Sequence, residues 1–143
     1  MEHTYLPEGM ILATARNREL TSTLAGLQRA METGAIIEGT VTLCDEALSL
    51  HVELPSACGV RGIIPRAEAV WNRDGEPPKD IAILTRVGKA VACKVTGMET
   101  GEDGITTVYL SRRLAQAECA ASYLEHVVGI SMSDEGKEAT DGE

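Results

Sequence analysis

Residues 35–64 read AIIEGTVTLCDEALSLHVELPSACGVRGII, and the fold is decided inside this stretch. Leu48, Leu50, Val52 and Leu54 alternate with Ser49, His51 and Glu53, a period of two that buries one face of a strand and wets the other. Upstream, Ile36, Ile37, Val41 and Leu43 suit a first strand. Downstream, a break over 55–59 precedes a compact third, VRGII, stopped by Pro65. After Gly88, Val91, Cys93 and Val95 alternate with Ala92, Lys94 and Thr96 as a fourth strand, and GEDG at 101–104 turns tightly into a fifth over 105–110.

Between the third and fourth strands, residues 68–78 carry Trp71, Asn72, Asp74, Gly75 and the pair Pro77-Pro78, which predicts a long connection holding a helical turn; a mixed segment follows over 79–86. Five short strands with such a connection predict a mainly β fold, a five-stranded Greek-key barrel of the oligonucleotide-binding (OB) type. A sandwich wants seven strands, and a barrel removes the edges that five free strands would expose.

The flanks read as helices. Thr21 or Ser22 can cap a helix over 21–33, in which Leu24, Leu27 and Met31 recur at i, i+3 and i+7 and Gly34 supplies the stop. Residues 1–20 lack a sustained period and are expected to form an irregular arm with a turn around 10–15. LAQAECAASYLEHVV, from Leu114, predicts a second helix ending at Gly129. The last stretch, SMSDEGKEATDGE, has one Met and five acids against one Lys, too little apolar surface to offset its ordering entropy, so disorder is expected. The expected organisation is an arm and helix over 1–34, the barrel over 35–113, a helix over 114–129 and an acidic tail over 130–143.

At 143 residues with 43% apolar side chains, the chain has room for one main core. Aromatic residues make up 3% and Phe is absent, so that core rests on aliphatic residues and any stacking surface is thin. The net charge of −9 is concentrated after residue 113, where seven acids face one base; over 35–113 eleven acids meet nine bases, so the acidic balance does not exclude a nucleic-acid partner. The cysteines at 44, 58, 93 and 119 form no CxxC, the start MEHTYLPEGM, charged and interrupted by Pro7, is not expected to act as a signal peptide, and no apolar run approaches the ~20 residues of a membrane span. A reduced cytoplasmic location without membrane contact is expected.

Motifs for catalysis are missing. His3, His51 and His126 have no metal-ligand spacing, and there is no GxxxxGK[ST], GxGxxG or GxSxG sequence. Acid pairs fall at turns, and Cys44 and Cys93 suit a barrel interior. No enzyme activity, cofactor or metal is expected.

IIEGTV, GVRGIIPRAE, VGKAVACKVTGME and VYLSRR occur in that order across residues 35–113. Gly39 two residues before Val41, Gly59-x-x-Gly62 leading into Ile63, Ile64 and Pro65, Val87-Gly88 before strand four, and Leu110-Ser111-Arg112 closing strand five together resemble the S-one RNA-binding domain, the repeat of the largest small-subunit protein of bacterial ribosomes. The helix from Leu114 looks like the connector between successive repeats. The resemblance implies single-stranded RNA binding on the face of strands two and three, with basic residues from strand five and nearby loops.

Strand parity puts His51 on the wet face, where family members commonly carry a stacking Phe; Leu48 matches the other usual aromatic position, and Pro65 replaces a frequent His. Arg112 matches a common basic position, Arg61, Arg66, Lys94 and Arg113 add positive charge, and Tyr109 is the remaining ring. The expected function is non-catalytic, low-specificity binding of single-stranded RNA in connection with ribosomes or messenger RNA. The alternative is a protein-interaction module on the same scaffold, with a protein partner at the helices or the acidic tail.

Overall fold

A computed structural model describes residues 8–54 and 60–122. Five strands, β1 (Ile36–Cys44), β2 (Leu50–Glu53), β3 (Val60–Ile64), β4 (Ala90–Thr100) and β5 (Thr106–Ser111), close into a barrel in the order β1-β2-β3-β5-β4, with β4 returning to β1. All pairs are antiparallel except β3 with β5. A short five-stranded barrel with this crossover is an OB-type fold.

Closure depends on how near the strands approach Val52. A Cβ on Gly39 of β1 would lie 2.6 Å from Val52 Cγ1, and one on Gly62 of β3 would lie 2.8 Å from the Val52 carbonyl oxygen. Both glycines quoted above from the sequence therefore flank β2 where its neighbours press against it. Register irregularities between Val41 and Leu43 in β1 and between Val95 and Gly97 in β4 bend the two longest strands around the core.

That core is aliphatic, as the composition requires. Ile37, Val41, Leu50, Ile64, Val91, Val108 and Leu110 are fully buried, with Cys93 among them. Burial pushes the Cys93 thiol far above its usual value, so it packs as a small apolar residue and does not react as a thiolate.

The N-terminal flank differs from the expected single helix. Residues 15–20, read as part of an irregular arm, together with Thr21 form α1 (Ala15–Thr21), and α2 (Leu24–Thr33) follows after a break. The cap of α2 is Thr23, whose hydroxyl accepts from the Gly26 N–H at 2.9 Å, and not Thr21 or Ser22. Thr21 is buried at the end of α1, and Leu24 is exposed. The physical cause is long-range: the buried Asn17 side chain donates to the Glu38 carbonyl and accepts from its N–H, acting as a strand partner for β1. Gly34 ends α2 with φ +71°, as its position predicts.

The connection after β3 holds a 3-10 turn (Arg66–Glu68) and a short helix, α3 (Asp80–Leu84), which buries Ile83. Ser111 then caps a helix, α4, that occupies 112–122, its hydroxyl accepting from the Leu114 N–H at 3.0 Å. The expected end of this helix at Gly129 and the expected disorder of 130–143 lie outside the described residues. No helix among the described residues is long and apolar enough to cross a membrane.

Candidate nucleic-acid interface

Side chains alternate in and out along each strand, so the buried set fixes what faces outward. With Leu50 and Val52 inside, His51 and Glu53 point out; with Gly62 and Ile64 inside, Arg61 and Ile63 point out; with Val108 and Leu110 inside, Thr107 and Tyr109 point out. Register aligns them. Leu43 pairs with His51, His51 with Ile63, and Ile63 with Tyr109, giving one row across β1, β2, β3 and β5. One step along, Arg61 pairs with Thr107 and Thr107 with Glu99.

Both rings of this row are tethered by their polar tips. His51 Nε2 lies 2.9 Å from Asp45 Oδ2, and the Tyr109 hydroxyl donates to Glu99 Oε1 at 3.1 Å. The hydrogen bond with His51, reinforced by the N–H groups of Ser49 and Ala47, holds the Asp45 carboxyl below its usual range. The hydrogen bond to Glu99 and the charge of that carboxylate push the Tyr109 hydroxyl up, so it stays protonated and donating at neutral pH. Leu43, 47% exposed, and the half-buried Ile63 extend the flat apolar surface between and beside the rings.

The cations named from sequence divide sharply. Arg61 is exposed and meets no carboxylate among the described residues. Arg66 pairs with Asp80 at 2.8 Å, and Arg113 with Glu68 at 3.1 Å. Lys94 pairs with Glu118 of α4 on the far side of the barrel from His51. Arg112 is 6% exposed: Nε and Nη2 donate to the two Glu8 carboxylate oxygens at 2.7 and 2.8 Å, and Nη1 to the Ala69 carbonyl at 3.1 Å. Its position at the close of strand five is structural, tying residue 8 and the β3–β4 connection to the start of α4.

Leu48 sits in a turn, not on a strand. It has φ +63°, its N–H donates to the Asp45 carbonyl, and its side chain packs partly against the core. The structure thus brings together His51, Arg61 and Tyr109, and leaves Leu48, Lys94 and Arg112 away from them. Arg66 and Arg113 stand beyond the C-terminal ends of the parallel pair β3 and β5. Leu43 and Ile63 were missed in the sequence, although Ile63 was available from the parity of VRGII. Among the described residues no group of three or more His, Cys, Asp or Glu is gathered as a metal site would require.

No family model matches the chain, and no curated protein does. Among solved structures, the solution structure of GSP13 from Bacillus subtilis is similar at 22% identity and a TM-score of 0.39, over 58% of this chain and 56% of that one. The chain therefore spans little more than half the length of that protein.

Proposed function

We propose that the outer face of β2, β3 and β5 binds single-stranded RNA, without catalysis and with low sequence specificity. The observation that carries this reading is the cross-strand row Leu43, His51, Ile63 and Tyr109 with Arg61, which meets no carboxylate among the described residues, one step away. Every base has a flat face, so tethered rings set among apolar side chains accept successive bases whatever their identity, and a guanidinium beside them takes the intervening phosphate. An unstructured stretch such as a messenger RNA or a ribosomal single strand is the fitting substrate.

The charge balance of the face sets its affinity. Stacking contributes about 1–3 kcal/mol per base, whereas Arg61, without a carboxylate partner among the described residues, attracts phosphate weakly beside Asp45, Glu53 and Glu99. Binding is therefore modest and led by stacking. Anisotropy of a labelled, mixed-sequence single-stranded RNA, titrated at several salt concentrations, tests this. The expected result is saturable binding whose log affinity falls against log salt with a slope of only ~0.7, one phosphate's worth for a single strand. No saturable binding at low salt overturns the reading and leaves the apolar row as a protein contact.

A further inference from the structure

The connection between β3 and β4 encloses a groove of about 600 Å³ that is separate from the barrel face. Trp71 and Pro77 supply apolar lining, and Arg66, Arg73 and Arg113 line it together with one acid, Glu76; Asp80 and Glu68, which pair with Arg66 and Arg113, are not among the lining residues. Arg73 is exposed and has no partner among the described residues. Arg66 commits only Nη2 to Asp80, and Arg113 commits Nε and Nη2 to Glu68, so each keeps free donors; such half-exposed surface pairs are also weak enough to exchange for a better anion.

The groove is held open by the chain's own bonds. The Trp71 N–H donates to Gln116 Oε1 of α4 at 2.8 Å, which fixes the start of the loop. Asn72 Nδ2 donates to the Glu76 carbonyl at 2.9 Å, the Gly75 N–H to the Asn72 carbonyl at 2.9 Å, and the Glu76 N–H to Asp74 Oδ1 at 3.1 Å. Gly75 turns the chain at φ +79°. A ligand therefore meets a formed site and does not have to order a loose loop.

An indole wall stacks a flat heterocycle, and convergent guanidinium groups with spare donors recognise a phosphate by paired N–H···O bonds. The volume suits a small molecule or one unit of a chain, not a folded partner. We propose that this groove binds one nucleotide, its base against Trp71 and its phosphate among Arg66, Arg73 and Arg113. The nucleotide is either a free nucleoside monophosphate or a single unit of an RNA strand. The site stands on its own residues and does not depend on the barrel face.

Trp71 is the single tryptophan of the chain, so its fluorescence reports on this groove directly. The full chain is titrated with 5′-AMP and, separately, with a single-stranded RNA octanucleotide, with correction for absorbance. A saturable change with AMP identifies a free-nucleotide site; a change with the octanucleotide alone identifies a subsite for a strand. Either supports the proposal if Arg73→Ala, which removes an exposed side chain with no partner among the described residues, weakens the response roughly tenfold. The proposal is overturned if neither ligand changes Trp71 emission saturably, or if Arg73→Ala leaves the response as it was. Anisotropy of labelled RNA, run in parallel, reads the barrel face. AMP acting on Trp71 with no RNA binding removes the face and keeps the groove, while RNA binding that leaves Trp71 and Arg73→Ala unaffected does the opposite.

Discussion

The barrel's outer surface has two halves with the same kinds of residue and opposite fates. Around Glu38, Ala92 and Lys94 the strands are covered: Glu38 accepts from the Gly9 N–H, the Ala92 N–H donates to Glu8 Oε2, and Lys94 reaches Glu118 of α4. Around His51, Arg61, Ile63 and Tyr109 nothing among the described residues covers them. A cation on the covered half is consumed by a carboxylate that the flanking chain delivers. A cation on the open half stays available. Position in the barrel, more than residue type, decides whether an arginine binds a ligand or holds the fold.

The largest expected effect comes from breaking the covered half. Arg112→Ala leaves the half-buried Glu8 carboxylate with its main partner gone, and should cost about 2 kcal/mol of stability by thermal or urea denaturation. Arg61→Ala, made beside it, should stay within about 0.5 kcal/mol of the parent. Equal losses would erase the distinction between the halves.

Acid should act on the same seam. Burial pushes the Glu8 carboxyl up, but hydrogen bonds from Arg112 and Ala92 and the charges of Arg112 and Arg86 outweigh it and hold it below its usual value. Its stabilisation is therefore complete above the unfolded carboxylate range, near pH 4.3, and is lost as pH falls through the lower folded value. Glu38 has the opposite sign: burial raises its carboxyl despite the hydrogen bond from Gly9, so its protonation on acidification favours the folded state. Melting curves of the parent and Glu8→Gln from neutral pH down to acid should differ most at neutral pH and converge below about pH 4. A constant difference would show that Glu8 is not ionised in the seam.

On the open half the effects are smaller and fall on binding. Tyr109→Ala should weaken single-stranded RNA by about 1–2 kcal/mol, read by anisotropy, with little loss of fold. His51→Phe should tighten binding by about 1 kcal/mol, since Phe presents a larger apolar face; Asp45 keeps the Ala47 and Ser49 N–H groups, so stability should hardly move. If the face only sheds water, neither variant changes RNA affinity and His51→Phe promotes self-association instead. Smallest of all, Arg61→Ala should flatten the salt slope by roughly 0.7 without changing sequence preference.

The strands were legible because burial on one face writes a period of two, and Leu50, His51, Val52 and Glu53 obey it. The same period misled at Leu48. There the Asp45 side chain accepts two backbone N–H groups and closes a turn, so an apolar residue in phase with the strand belongs to the loop before it. α1 left no readable pattern because much of its support is the pairing of Asn17 with Glu38, twenty-one residues away. Ion pairing was equally hidden: Arg112 meets Glu8 across 104 positions, and no local signal distinguishes that arginine from Arg61. Trp71 read as a loop residue because its wall is completed only when the end of β5 brings Arg113 alongside.

The most direct test of the open face is a backbone amide NMR spectrum of the labelled protein recorded while a short single-stranded RNA is added. The largest shift changes should fall on His51, Arg61, Ile63, Thr107 and Tyr109, with Glu38, Ala92 and Lys94 nearly still. Changes confined to the covered half, or to residues 66–78 alone, would contradict an RNA-binding face on β2, β3 and β5.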